Sequence, residues 1–383
     1  MTAVAGATAN LLDFVTNFWD VHRSTPGIND FAFGNPQEMA MPGFIGALAK
    51  HLEPESKDWY AYKRSEPNAR QTVARRLSEW RGLQFQPEDI ALTVGAFGAI
   101  ATACDALLDP GDEVIFSLPT WFFYEPMLLL NGARPVKVPV RREDHDLDVD
   151  RIASAITEKT RMVIVNTPNN PTGRIYPAST LTALARALTE ASERHGNPIY
   201  LLSDEPYARL VFSGSVLSSP VDFYPHTLIS YSYGKVLLTP GQRIGWLAMS
   251  PNLPNREELR RAIELAQMSG GWLFPNALLQ HSIDDLEDLS IDLIELEKKR
   301  DVMADALLEM GYELRLPEGA FYLWVGSPRP DDYQFAATLA RQGVLVLPGS
   351  ITEGPGYFRI SLTATMEMIE RSLPVFAAAR QKT

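Results

Sequence analysis

A wound α/β fold with a mainly parallel sheet is predicted by three features of this 383-residue chain. Short apolar, often β-branched runs recur at 90–94, 113–118, 161–166, 199–203, 227–230 and 244–250, the pattern of strands buried on both faces. Helix-length segments lie between several of them. Residues 98–108 end at Asp109-Pro110-Gly111-Asp112, and 178–195 carry apolar residues at helical spacing before Gly196-Asn197-Pro198. No repeat, low-complexity tract or long linker interrupts the series, so the units pack together.

The pattern changes near residue 285. Residues 286–310 read as one long amphipathic helix, 322–325, 344–347 and 358–362 as strands, and 366–380 as a closing helix. The first 45 residues hold turn signals and aromatics but no strand–helix–strand unit. The expected organisation is therefore a large domain over 46–285 and a smaller α+β domain over 286–383, which the N-terminal segment 1–45 joins.

Composition narrows the function. With 45% apolar and 21% charged residues the chain is that of an ordinary enzyme, not a disordered, collagenous or membrane protein. Thirty-five basic residues against 47 acidic ones give a net charge of −12, so nucleic acid is not an expected partner and any anion site must be local. No apolar stretch approaches the ~20 residues that span a bilayer. The first ten residues lack a basic start and a continuous apolar run, so a cytoplasmic location is expected. Cys104, alone in its apolar run, reads as a buried filler, and the six histidines show no metal-ligand spacing, so no metal is expected.

Three strand ends carry the chemistry. The run 161–165 delivers Asn166-Thr167-Pro168-Asn169-Asn170-Pro171-Thr172-Gly173; the run 199–203 delivers Asp204-Glu205-Pro206-Tyr207; and 227–232 leads to Tyr233-Gly234-Lys235, then Gly241-Gln242-Arg243-Ile244-Gly245. Taken alone, Lys235 reads as a surface lysine. In a parallel sheet, however, ligand sites collect at the carboxyl ends of strands, so these turns bring an amine, a carboxylate, a phenol and an amide to one crevice.

With these motifs in order, the chain resembles the class I/II aminotransferases, fold type I pyridoxal-phosphate enzymes, over most of its length. The resemblance rests on Asn-Asn-Pro-Thr-Gly at 169–173, Asp-x-x-Tyr at 204–207, and Ser-x-x-Lys with Gly-x-Arg-x-Gly between 232 and 245. It implies transfer of an amino group between an L-α-amino acid and a 2-oxo acid through a Schiff base on Lys235. The cofactor is an electron sink for negative charge at the substrate Cα, and the sink is deep only while its ring nitrogen stays protonated. Asp204 takes the role of holding that proton through a charge-assisted hydrogen bond of about 1.5–3 kcal/mol. Lys235 also serves as the base at Cα, and Tyr207 and Asn170 face the ring's phenolic oxygen.

The resemblance assigns the phosphate to the backbone amides of Ala96 and Phe97 at a helix N-terminus, with Ser232 and Arg243. Trp121 matches the ring-stacking aromatic. Arg359 matches the arginine that grips the α-carboxylate, aided by Asn170, and its planar fork fixes orientation as lysine would not. Gly34 matches a glycine over which the N-terminal segment closes. Tyr60, with Tyr62 as the neighbouring alternative, matches a tyrosine reaching the partner subunit's phosphate, which implies a homodimer with shared sites.

Departures from the family pattern are Phe97 in place of a hydroxyl, Tyr233-Gly234 before the lysine, and Ser65 in place of glycine. They leave a second reading open, an amino-acid lyase or oxidase with the same fold. Phe31, Phe33, Trp121, Phe122, Phe123, Tyr124 and Trp272 are either core residues or the wall of a pocket for an apolar or aromatic side chain.

Overall fold

The computed structural model describes residues 2–381. After a short strand β1 (Asn29–Asp30), seven strands build the main sheet: β2 (Ile90–Thr93), β3 (Glu113–Leu118), β4 (Arg134–Pro139), β5 (Thr160–Asn166), β6 (Tyr200–Asp204), β7 (Thr227–Ser232) and β8 (Gly245–Met249). Their order is β2-β8-β7-β6-β5-β3-β4, and β8 alone runs against its neighbours. Side chains alternate between two cores, as strand geometry requires. Leu202, Leu228 and Leu247 face the helices Gly95–Leu107 and Arg256–Gly270, while Leu201 and Val163 face Ala178–His195. Each such fully buried side chain stabilises the fold by about 1.5–3 kcal/mol.

Strand β4 escapes the sequence reading because Arg134-Pro135-Val136-Lys137-Val138-Pro139 carries two prolines. Proline cannot donate to a ladder, and β4 is tolerated because it forms the sheet's edge. The expected helix over 286–310 is broken. Ile283–Glu287 is a separate short helix, and the long one is Leu293–Glu309, started by Asp292, whose side chain accepts from Ile294 N and Glu295 N. Leu286, Leu289, Leu293 and Leu296 keep helical spacing across the break, so periodicity alone conceals the cap. The helix expected at 98 starts at Gly95.

A second sheet joins β9 (Tyr322–Gly326), β11 (Leu347–Pro348) and β12 (Tyr357–Ser361), antiparallel, in the order β11-β12-β9. Strand β10 (Val344–Leu345) instead pairs in parallel with β1, so the expected strand 344–347 is split between two partners. The N-terminal Thr2–Asp13 is an α-helix continued by a π-helix, Phe14–Trp19. Cys104 is buried, and burial pushes its thiol up to about 12. Among the described residues no helix is long and apolar enough to cross a membrane.

Candidate active site

One end of the main sheet gathers the polar residues. Strands β5, β6 and β7 end there at Asn166, Asp204 and Ser232, and β2 ends there before Gly95. Together with Arg359 from β12 and Gly34 from the N-terminal segment, they enclose a cavity of about 420 Å³, within the usual size of a ligand pocket. Its lining includes Gly34, Ala96, Phe97, Trp121, Asn170, Asp204, Tyr207, Ser232, Lys235, Arg243 and Arg359. Tyr60 stands elsewhere: it is 53% exposed and donates to Leu52 O.

Asp204 is buried and receives three donors. Tyr124 Oη donates to Oδ2 at 2.5 Å, Ser230 Oγ to Oδ1 at 2.7 Å, and Asn166 Nδ2 to Oδ2 at 3.3 Å. Desolvation outweighs these bonds and raises the carboxyl to about 6. No cation lies within ion-pair distance of it among the described residues; Lys235 acts only through its field. A buried carboxylate in this state calls for a cationic N–H partner.

Arg359 presents the opposite charge in the same state. It is 2% exposed, with Nη1 donating to Asn170 Oδ1 at 2.7 Å and Nη2 to Ala32 O at 2.8 Å, while Nε has no partner. No carboxylate pairs with it among the described residues, so a buried guanidinium awaits an anion. Its Cζ lies 4.1 Å from the Tyr322 ring centroid. Tyr322 Oη is 3.3 Å from Tyr207 Oη. Burial pushes the Tyr322 phenol up, but the charges of Arg359 and Lys235 overcome it and the net shift is downward. Gly34 is required here: a Cβ would stand 2.7 Å from Tyr322 Oη.

Lys235 sits on a one-turn helix, Tyr233–Val236, directly after β7. Its amine makes no hydrogen bond or ion pair among the described residues, and Nζ lies 5.7 Å from the Tyr207 ring centroid and 5.8 Å from that of Phe321. The turn is pinned from behind, where the buried Tyr233 hydroxyl donates to Glu287 Oε1 and Arg209 Nη1 reaches Glu287 Oε2 at 3.5 Å. Among the described residues Arg243 has no carboxylate partner either; its guanidinium donates to Pro240 O and Val94 O, and burial holds it below its usual pKa. Gly95 opens the adjacent helix at φ +75°, where a Cβ would lie 2.8 Å from Arg243 Nη2 and 3.3 Å from Ser232 Oγ. A guanidinium, a hydroxyl and the first turn of a helix thus line the cavity together, a donor set suited to a small anion.

Of the proposed aromatic wall, Phe33, Trp121, Phe122 and Phe123 line the cavity. Phe31 is packed in the largest core, and Trp272 lies against Gly270 at the end of its helix, outside the lining. Tyr124 serves as a donor to Asp204, not as wall. Sequence reasoning missed Asn166, Tyr322 and the N-terminal residues Leu11, Val15 and Trp19, which also line the cavity. Asn166, as the last residue of a strand entering the turn, carried a readable signal. The others carried none.

The family model for aminotransferases of class I and II matches residues 27–375. A probable aspartate/prephenate aminotransferase of Thermus aquaticus is 32% identical over 350 residues, covering 89% of this chain and 88% of that one. An aspartate aminotransferase of Thermotoga maritima is 30% identical, covering 79% and 78%. Among solved structures, an amino transferase of Eubacterium rectale superposes with a TM-score of 0.91 at 27% identity, covering 98% of both chains. The aspartate aminotransferase of Thermus thermophilus with maleate superposes at 0.82 and 28%, covering 98% and 96%.

Proposed function

The chain belongs to the class I and II aminotransferases, and from that membership we propose that Lys235 is the amine that binds pyridoxal phosphate and moves the substrate proton. The enzyme moves an amino group between an L-α-amino acid and a 2-oxo acid. One observation carries the assignment of residues: a single cavity holds a free amine, a buried acid without a cation and a buried guanidinium without an anion.

These residues fit the cofactor. The donor set of Ser232, Arg243 and the helix start suits its phosphate, Asp204 its ring nitrogen, Tyr207 and Asn170 its phenolic oxygen, and Trp121 its ring face. When bound, pyridoxal phosphate supplies an electron sink for charge left at the substrate Cα. Asp204, held by Tyr124, Ser230 and Asn166, keeps the sink's nitrogen protonated through opposite charge. Arg359 fixes the α-carboxylate by a two-pronged bond, which sets which Cα bond faces the ring. Lys235, unbound to any neighbour, is free to swing and carry the Cα proton at Nζ.

Borohydride reduction of the loaded protein followed by peptide mapping is expected to leave the label on Lys235; a label elsewhere overturns the assignment. Given an amino acid and no oxo acid, the protein should release about one oxo acid per site and stop, whereas continued release would identify a lyase or oxidase. Arg359→Ala should raise KM for amino acids about 10²-fold, since charge-assisted bonds contribute about 1.5–3 kcal/mol, with little change in cofactor affinity. An unchanged KM would place the carboxylate on another group.

The proposal includes a homodimer in which Tyr60 reaches the partner's phosphate. Its support is that Tyr60 lies outside its own subunit's cavity lining and is exposed, with its hydroxyl on Leu52 O.

A further inference from the structure

The cavity lining contains two groups of different chemistry. One is Asp204, Lys235, Ser232 and Arg243; the other is Leu11, Val15, Trp19, Phe33 and Phe122, which belong to one hydrophobic cluster. Resting on the amino-transfer reading above, we infer that this site selects an amino acid with a bulky, uncharged apolar side chain over a dicarboxylic one, and that the N-terminal segment makes the selection.

The wall is built, not incidental. Leu11, Val15 and Trp19 are spaced four apart, and the chain passes from α-helix to π-helix at Phe14. Four residues overshoot an α-turn of about 3.6 residues and fall short of the wider π-turn, so the two deviations offset and all three side chains share one face. Trp19 is then fixed. Its Nε1 donates to Asp30 Oδ2 at 2.9 Å, and Asp30 Oδ1 accepts from Ala32 N at 2.9 Å. Asp30 lies on β1, which is paired with β10. The Trp19 and Phe33 rings meet edge to face at 4.9 Å, and Phe33 meets Phe122 at 6.5 Å.

Charge within the subunit favours the same choice. Among the described residues the cavity is lined by three cations, Lys235, Arg243 and Arg359, and the amine, phosphate and α-carboxylate roles occupy all of them. Arg23 lies 4.4 Å from the Trp19 ring centroid but pairs with Asp20 and is outside the lining. Asn35 offers the wall an amide without charge. A second carboxylate would lose its water against alkyl groups and ring faces with no counter-ion from its own subunit, whereas a phenyl or branched alkyl group would be buried favourably.

Two unreactive monocarboxylates and one dicarboxylate test this on the cofactor-loaded protein by calorimetry. Hydrocinnamate should bind at least about tenfold more tightly than succinate. Trp19→Ala should weaken hydrocinnamate about tenfold and leave propionate, which reaches only Arg359, within about twofold. Tighter succinate binding, absence of hydrocinnamate binding, or an equal loss for both monocarboxylates would each overturn the inference. Binding is read without turnover, so failure of amino transfer is seen separately: conversion of aspartate ahead of phenylalanine and leucine would sink the inference alone, and conversion of no amino acid would sink the reading beneath it.

Discussion

Lys235→Ala is expected to lower turnover by about 10⁴-fold or more while leaving the fold intact. The size of the loss follows from how few groups could substitute. Lys235 is the one lysine lining the cavity among the described residues, and the hydroxyls of Tyr207 and Tyr322, which share that lining, are already engaged with each other. The small effect on stability follows from the same isolation. The amine has no bond to lose, and its helix is held by Tyr233 on Glu287, so unfolding free energy should change by no more than about 1 kcal/mol. The truncation leaves a gap that a small free amine can enter. Adding methylamine should restore a measurable part of the rate, rising with pH as the neutral amine becomes more abundant. A variant that keeps more than a few per cent of activity without added amine would show that another base works at Cα.

What could be read beforehand depended on where in the chain each residue stood. Asn170, Asp204 and Lys235 lie in turns right after buried apolar strands, and a parallel sheet sends such turns to one side whatever the remaining packing. Their convergence was therefore legible without coordinates. Tyr124 was legible as an aromatic but not as a donor, since nothing local aims its hydroxyl at a residue 80 positions away. Tyr322 reaches the cavity only because the antiparallel β9 and β12 set Arg359 against Trp324 in the register that also brings Tyr322 to Ser361. The N-terminal wall was the least legible. Its spacing of four suits an ordinary helix, and only the change to a π-turn aligns Leu11 with Trp19. Strand β4 shows the reverse case, in which prolines that argue against a strand are admissible at an edge.

Asp204→Asn is expected to change stability and activity in opposite directions, and the sign of the stability change should depend on both pH and cofactor. In the cofactor-free protein the carboxyl titrates near 6, above its usual value near 3.8. A folded-state pKa raised in this way means that the protonated form fits the fold better: the contribution is full below the unfolded value and is lost as pH rises through 6. The difference of about 2 units corresponds to roughly 3 kcal/mol of destabilisation once the group is ionised. Asparagine is neutral at every pH and can still accept from Ser230 or Tyr124. The cofactor-free variant should thus melt a few degrees above wild type at pH 8, with the gap closing towards pH 4. Loading the cofactor should reverse the order at pH 8, because the wild-type carboxylate then gains the cationic partner that its site lacks, and asparagine gains only a neutral bond. Turnover should fall at least about 10²-fold in the loaded variant. Differential scanning calorimetry with and without pyridoxal phosphate, across pH, separates these outcomes. If the cofactor-free variant is less stable than wild type at pH 8, the acid is part of the scaffold. If loading leaves the order unchanged, no cation meets Asp204 and the placement of the ring nitrogen is wrong.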